Sequence, residues 1–143
     1  MRFGHIAIVT GDLERTKALY ETLGVTAGDV HEVVEQYPEE RTPHRYRGVA
    51  LTYSEGRSSV WLMEPVGDSG PLARFLSSRG PGFHHLGLKT DDIAGEVRRL
   101  KRAGLTFLRE PHDFPRDGEI RALLSPRDCD GVLIEIVQRR EAK

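Results

Sequence analysis

An internal repeat covers almost the whole chain and constrains its fold more than any single motif does. The segment at 4–25, GHIAIVTGDLERTKALYETLGV, returns at 82–105 as GFHHLGLKTDDIAGEVRRLKRAGL, and a shift of 80 positions brings His85 onto His5. Both copies begin with the alternation of a strand, continue with apolar residues at helical spacing, and reach a glycine where a helix would end. The repeat therefore predicts two similar structural modules.

Short apolar stretches after each helix complete the two modules. They are rich in β-branched and aromatic residues and are separated by polar or proline-containing segments, which is typical of strands joined by loops. The predicted strands are 29–35, 46–53 and 58–64 in the first module, and 106–110, 120–125 and 131–138 in the second. The predicted class is α+β, with two tandem βαβββ modules that form a curved mixed β-sheet around a central cavity.

The length of the chain sets its domain organisation. With 143 residues it can bury one sizeable core. A short helical segment with an early proline and a terminal glycine, PLARFLSSRG, connects the two modules. We predict a single domain over 1–143, with module one at 1–66, the connecting helix at 67–81, module two at 82–140 and a tail at 141–143.

Composition excludes several classes of partner. The formal net charge is −1 and the basic residues are scattered, so neither nucleic acid nor an anionic membrane surface is expected to bind. The apolar runs are too short to span a bilayer. Cys129 is the single cysteine, which is typical of a protein from a reducing compartment. We expect a cytoplasmic protein whose partner is a small molecule.

Strand alternation places three chemically matched side chains on one face. His5 and His85 each open a strand in the same phase, and Glu135 has the corresponding phase in the last strand. By the same parity His84 points toward the helix layer, whereas the small Gly87 leaves room on the cavity side. Each residue taken alone has an ordinary alternative role, as a hydrogen-bonded core histidine or as an edge-strand glutamate.

Taken together, the three side chains predict a divalent-metal site. A carboxylate placed between the apolar Ile134 and Ile136 is costly to bury unless it is paired or bound to a metal. Two imidazoles and one carboxylate are a ligand set that divalent transition metals use. We predict His5, His85 and Glu135 as metal ligands and Glu135 also as the catalytic residue.

Several stretches of the chain resemble one superfamily. The segments HIAIVTGDLERTKALYETLG, WLMEPVGDSGPLARFLSSRGPGFHHLGLKTDDI and LSPRDCDGVLIEIVQ are similar to those of the vicinal oxygen chelate superfamily, which includes glyoxalase I, bleomycin resistance proteins and extradiol dioxygenases. The similarity is strongest to its methylmalonyl-CoA epimerase branch. The resemblance carries the family's metal ligands onto the same three residues. It places the family's fourth ligand at Trp61 and its second catalytic glutamate at Leu51, and neither side chain can take that role.

The resemblance implies an enzyme of the glyoxalase or epimerase type. Such an enzyme chelates a substrate with adjacent oxygens on one divalent ion (Co, Mn, Ni or Zn) and moves a proton through a metal-stabilised enolate. Glu32 and Glu35 are alternatives to Glu135 for that proton, or else exposed edge-strand residues. The resemblance also implies a homodimer. We predict a substrate pocket lined by Trp61, Leu51, Tyr53, Met63 and Leu133.

Two other functions stay open at this point. Two histidines and one glutamate also form the triad of non-haem Fe(II) oxygenases, with His44, Tyr46 and Tyr53 as candidates beside the oxygen site or as packing residues. A small-molecule binder resembling the drug resistance proteins is the third possibility. Arg74, Arg121 and Arg127 are predicted at solvated positions, with contact to a substrate carboxylate or phosphate as the alternative. The proline-broken segment 109–119 is predicted as a loop at the cavity mouth.

Overall fold

The computed structural model describes residues 1–53, 58–114 and 118–141. Within them it contains nine strands, three α-helices and one short 3-10 helix, and the predicted α+β class is confirmed. The elements are β1 (Arg2–Val9), α1 (Leu13–Thr22), β2 (Thr26–Ala27), β3 (His31–Glu35), β4 (His44–Thr52), β5 (Ser58–Pro65), α2 (Pro71–Arg79), β6 (Gly82–Lys89), α3 (Ile93–Arg102), β7 (Phe107–Phe114), β8 (Glu119–Leu124), the 3-10 helix Pro126–Asp128 and β9 (Leu133–Arg139). No helix in the described ranges has the length and apolar character that a bilayer crossing requires.

The chain divides into two compact units that do not coincide with the sequence modules. The first unit is Ile6–His84, and the second unit combines Met1–His5 with His85–Lys143. Strand β1 is therefore shared, and its first residues, including His5, belong with the second module. The single domain over 1–143 stays a prediction.

The first unit has a layer of strands with helices packed on both of its faces. Its strand order is β2-β4-β5-β1, with β3 also paired to β4, and β1 and β5 run parallel. The short strand β2, which was not predicted, pairs antiparallel with the end of β4. One face packs against Leu13 of α1, and the opposite face packs against Phe75 and Leu76 of α2.

The helix α2 changes one prediction about this unit. Alternation was expected to place Ala7 and Val9 on the open cavity side of the strands. Both residues are instead fully buried in a cluster that includes Phe75 of α2. The phase of the strand was predicted correctly, but the phase does not reveal that the connecting helix covers this face.

The second unit repeats the parallel pairing and packs α3 on one face. Its order is β6-β9-β8-β7, with β6 and β9 parallel. Ile93, Val97 and Leu100 of α3 are buried against Ile136 of β9, as the helical spacing predicted. The face that carries Glu135 is the opposite one, because side chains alternate along β9.

The loop predicted at 109–119 is wrong over its first half. Residues up to Phe114 belong to β7, whose only pairing among the described strands is with β8, with register shifts on both sides of Arg109. Pro111 is accommodated there because an edge strand does not need every backbone N–H group for pairing. Residues 115–117 lie outside the described part of the chain.

Equivalent side chains cap the N-termini of the two repeated helices. Asp12 and Asp92 are the N-cap residues of α1 and α3, and each accepts a backbone hydrogen bond from the first turn. A side chain from the last strand of each module adds a second acceptor: Glu64 Oε2 accepts from Leu13 N at 2.6 Å, and Gln138 Oε1 from Ile93 N at 2.8 Å. The repeat therefore includes the contacts that fix each helix to its strands.

Candidate metal centre

Gly87 creates the space in which the His5 ring lies. A Cβ atom at position 87 would be 2.2 Å from both Cε1 and Nδ1 of His5, so any side chain there would displace the imidazole. Gly4 allows a similar close approach, since a Cβ at that position would be 2.8 Å from the carbonyl oxygen of Gly87. The second unit therefore uses two glycines to bring the start of β1 against β6.

The three predicted ligands meet within the second unit of a single chain. His5 Nε2 lies 2.9 Å from His85 Nε2 and 3.6 Å from Glu135 Oε1. The distance from His85 Nε2 to the same carboxylate oxygen is 3.9 Å. The two imidazole rings are nearly perpendicular, at 87°. One chain therefore supplies both histidines.

These separations match the spacing of neighbouring ligands around one cation. With metal–ligand bonds of about 2.1 Å, adjacent donor atoms are about 3.0 Å apart in octahedral and about 3.4 Å apart in tetrahedral geometry, and opposite donors about 4.2 Å apart. All three observed distances are shorter than the opposite-donor value. The donor set of two imidazoles and a carboxylate thus fits a divalent metal, with the ligands on one side of the ion.

The surroundings of the triad favour the protonation states that bind metal. His85 is buried and the side chain of Glu135 is only 15% exposed. Burial lowers the pKa of His5, Glu119 raises it, and Arg121 and Lys89 lower it further. A neutral imidazole is the form that ligates a metal, so burial works in favour of binding.

His84, the neighbour of the second histidine, has a different environment. Its ring packs edge-on against Phe75 of α2 with a centroid separation of 5.0 Å. Burial, assisted by the charge of Arg79, lowers the pKa of His84 to about 4. The sequence contains two adjacent histidines, and strand alternation separates their roles.

The predicted pocket residues lie on different faces. Leu51 and Tyr53 pack in the cluster around Leu13 of α1, whereas Trp61 and Met63 belong to the opposite face of the first unit. These four side chains cannot line one pocket, so Leu51 and Tyr53 are withdrawn from it. Leu133 is half-buried on β9, opposite His85 in the β6–β9 pairing.

Trp61 is held by a glycine on the neighbouring strand. A Cβ at Gly48 would be 2.3 Å from Cζ2 of the indole, so the ring lies directly over the Gly48 backbone. This pair was not predicted from the sequence. The signal that was available is a lone glycine within a strand, which indicates close approach by another group.

Three of the other proposed acid–base and oxygen-site residues, Glu35, His44 and Tyr46, have partners of their own in the first unit. His44 pairs with Glu40, and the hydroxyl of Tyr46 donates to Glu35 Oε1 at 3.2 Å. Glu32 is exposed on β3. These contacts favour structural roles for them, while Glu135 remains beside the two histidines.

Arg121 was predicted as a solvated residue, and that prediction is wrong. Its side chain is only 17% exposed, and its guanidinium lies 4.4 Å from the ring centre of Phe114. Both Nε and Nη2 donate to Glu119 Oε2 at 2.9 Å. The ion pair depends on the alternation of Glu119 and Arg121 within β8, which places both on the face that carries Glu135.

Comparison with known proteins identifies related sequences over nearly the full chain. A family model described as the glyoxalase/bleomycin resistance protein/dioxygenase superfamily matches residues 4–122. The mitochondrial methylmalonyl-CoA epimerase of Homo sapiens is 31% identical over 139 residues, which are 96% of this chain and 73% of that protein. The ethylmalonyl-CoA/methylmalonyl-CoA epimerase of Cereibacter sphaeroides is also 31% identical, with 96% and 97% of the two chains covered.

Solved structures show the same architecture. The methylmalonyl-CoA epimerase from Mycobacterium tuberculosis has a TM-score of 0.77 and 27% identity, over 98% of this chain and 89% of that one. A variant of the Streptomyces coelicolor methylmalonyl-CoA epimerase, solved in complex with 2-nitronate-propionyl-CoA, has a TM-score of 0.72 and 26% identity, with 99% of both chains covered.

Proposed function

Because this chain belongs to the glyoxalase/bleomycin resistance protein/dioxygenase superfamily, we propose that it is a metal-dependent enzyme of the epimerase type. The proposed substrate is a coenzyme A thioester with a second oxygen-bearing group close to its carbonyl. The convergence of His5, His85 and Glu135 carries this proposal, since a sequestering protein has no need of a converging ligand set.

The three side chains would hold one divalent cation. Bound there, the cation would supply the positive charge that makes a proton beside a carbonyl group acidic. The two histidines suit metal binding because their Nε2 atoms point to the same place. His85 is buried and His5 is partly buried, which limits access of water to that point.

Glu135 is the proposed proton-transfer group. Its Oε1 faces both imidazoles, and a carboxylate has a second oxygen that can take a proton. Glu135 would take the proton from the carbon next to the thioester, and the electron pair of that C–H bond would move toward the carbonyl oxygen. A water molecule on the opposite face would then donate a proton to that carbon, which inverts the centre.

Exchange of the substrate proton with solvent tests this reaction. Metal-free protein, reconstituted separately with Co, Mn, Ni or Zn, is incubated in D2O with methylmalonyl-CoA or ethylmalonyl-CoA, and deuterium at the α-carbon is followed by NMR. Deuterium incorporation that requires the metal is the expected result. Glu135→Gln should reduce the exchange rate by about 100-fold or more, the range of a lost general acid–base group.

A matched control separates this effect from a change in surface charge. Glu110→Gln removes a carboxylate from the edge strand β7, where its side chain is 62% exposed and paired with Lys101. This variant should exchange the α-proton at the wild-type rate. Absence of exchange in the reconstituted wild type with every metal and both thioesters would reject the epimerase proposal.

An oxygenase is the second candidate, and one observation favours it. The position in module one that corresponds to Glu135 holds Trp61, so within the described residues the repeat supplies three ligands and not four. Two histidines and one carboxylate on one side of a metal suit Fe(II). Anaerobic loading with Fe(II), followed by an oxygen-uptake assay with catechol, tests this function independently of proton exchange.

The homodimer and the cytoplasmic location stay predictions. The drug-binding alternative would be supported by a protein that fails to take up any of these metals and still binds an aromatic antibiotic. Elemental analysis of freshly purified protein therefore comes first, since it separates this outcome from both enzyme candidates.

A further inference from the structure

A cation is fixed on the same strand face as the metal triad. The Arg121 guanidinium is stacked on Phe114 and held by two hydrogen bonds to Glu119, so its plane is set before any ligand arrives. A planar guanidinium binds carboxylates through two parallel hydrogen bonds, and a fixed one loses little side-chain entropy on binding. The geometry is suited to recognition of an anion.

The strand pairing places the backbone of Arg121 diagonal to that of the ligand Glu135, while the guanidinium itself contacts Phe114 and Glu119. Arg121 on β8 is opposite Val137 on β9, and Glu135 is two residues earlier on the same face of β9. Diagonal neighbours of this kind lie roughly 7–8 Å apart between backbones, within reach of a long side chain. A substrate held at Glu135 would therefore extend toward Arg121 within a few atoms.

A second cation occupies the other side of Val137. Lys89 of β6 is paired with Val137 in the parallel ladder, so Lys89, Val137 and Arg121 form one row across three strands. Two positive charges flank a buried apolar residue in this row. Glu119 offsets one charge, and the row keeps a formal charge of +1.

The row lies on the strand face that carries the metal ligands. Lys89 is four residues after His85 in β6, and strand alternation places the two side chains on the same face. An anion bound between Arg121 and Lys89 would be attracted by both cations. The row therefore lies where a charged part of a metal-chelated substrate would extend.

We propose that Arg121, assisted by Lys89, binds the carboxylate of an acyl thioester and makes the enzyme specific for substrates that carry it. This inference rests on the proposed function. It assigns the row to the substrate's own carboxylate and makes Arg121 a specificity-determining residue. A thioester that lacks the carboxylate should reach the triad but lose the contact with this row.

Two ligands that differ in one group provide the test. Methylmalonyl-CoA and propionyl-CoA differ by the carboxylate, and calorimetry of the cobalt-loaded protein gives a Kd for each. The wild type is expected to prefer methylmalonyl-CoA by 10-fold or more. Arg121→Gln should remove most of that preference while leaving the Kd of propionyl-CoA and the cobalt content unchanged, and Arg121→Lys should retain part of it.

Two further variants keep the test decisive if Arg121→Gln folds poorly. Lys89→Gln changes an exposed side chain and should reduce the preference by about threefold. Arg127→Gln, in the exposed 3-10 helix, is the matched control and should leave the preference unchanged. A preference that persists in both Arg121→Gln and Lys89→Gln, an equal loss for both ligands, or no preference in the wild type would overturn the proposal.

The reaction is measured separately on the same preparations. If the wild type exchanges the α-proton of methylmalonyl-CoA but its preference does not depend on Arg121, the epimerase proposal stands and the carboxylate contact is wrong. If the preference depends on Arg121 but no α-proton exchanges, the contact stands and the reaction is wrong.

Discussion

The two modules place different chemistry at the same position of the same strand pair. In the first module Ala7 is paired with Trp61, and in the second Gly87 is paired with Glu135. Both pairs are parallel and have the same register, so the repeat is preserved in the backbone. One module places an indole over a glycine at this position, and the other a carboxylate beside two imidazoles.

The difference between the two modules shows which residues of the repeat are constrained by folding. The N-caps Asp12 and Asp92 and the second acceptors Glu64 and Gln138 perform the same task in both halves. The strand face away from α1 and α3 is not needed for those contacts. Its residues are therefore free to differ, with a packed tryptophan in one half and a metal ligand in the other.

Removal of the metal ligands of the second module should have the largest effect on metal binding. His85→Ala and Glu135→Ala are each expected to weaken cobalt binding by more than about 100-fold, since loss of mere outer-shell partners costs 10–100-fold. Thermal unfolding of the metal-free proteins should change little, because neither side chain belongs to the apolar cluster under α3. Cobalt titration and calorimetry measure both quantities.

A control in the first module accompanies these variants. Trp61→Phe changes the position equivalent to Glu135 and should leave cobalt affinity within about twofold of the wild type. Wild-type cobalt affinity in both His85→Ala and Glu135→Ala would reject the metal site.

This triad could be predicted from sequence because strand alternation is a local property. The phase of His5, His85 and Glu135 follows from a period of two residues, and the repeat identifies the two strands as equivalent. The same argument separated His84 from His85. Each inference needed only the residues of one strand, and the structure brings His5, His85 and Glu135 together as their phase required.

Features that depend on distant packing were not predicted. Strand alternation predicts the face on which Ala7 lies, but it does not predict that helix α2 covers that face. It also does not predict that Leu51 packs against α1. Pro111 indicates a loop when only the sequence is known. A strand accepts proline there because β7 lies at an edge of the sheet, and the local sequence does not reveal this. The stacking of Arg121 on Phe114 requires the register of β7 and β8, which local spacing does not specify.

A methyl group at Gly87 tests the spacing of the two histidines. Gly87→Ala would place a Cβ 2.2 Å from the His5 ring, so the imidazole must move away from His85. We expect cobalt affinity to fall by about 10-fold or more, within the range for disturbed ligand orientation. Gly11→Ala is the control, because its added Cβ would be at an ordinary 3.5 Å from Leu76. Equal cobalt affinity in the two variants would show that Gly87 does not position His5.

The equivalent close contact in the first module should affect stability and not metal binding. Gly48→Ala would place a Cβ 2.3 Å from the indole of Trp61, and overpacking of this kind costs about 1–3 kcal/mol. In a Trp61→Leu background the same change should cost much less, because the smaller side chain leaves the space open. Urea unfolding of the four proteins gives the coupling energy of this double-mutant cycle. Additive effects would mean that Trp61 is not what requires a glycine at position 48.

The smallest expected effect distinguishes the two helix starts. Glu64→Ala removes a charged acceptor that bonds Leu13 N and also pairs with Arg47, whereas Gln138→Ala removes a neutral acceptor from Ile93 N. Hydrogen bonds to charged groups contribute about 1.5–3 kcal/mol and neutral ones about 0.5–1.5 kcal/mol, and the carboxylate also interacts favourably with the positive end of α1. The loss in unfolding free energy should therefore be larger for Glu64→Ala. Glu64→Gln keeps a neutral acceptor for Leu13 N and should therefore regain about as much unfolding free energy as Gln138 contributes. If Glu64→Gln is as unstable as Glu64→Ala, the two capping contacts are not equivalent members of the repeat.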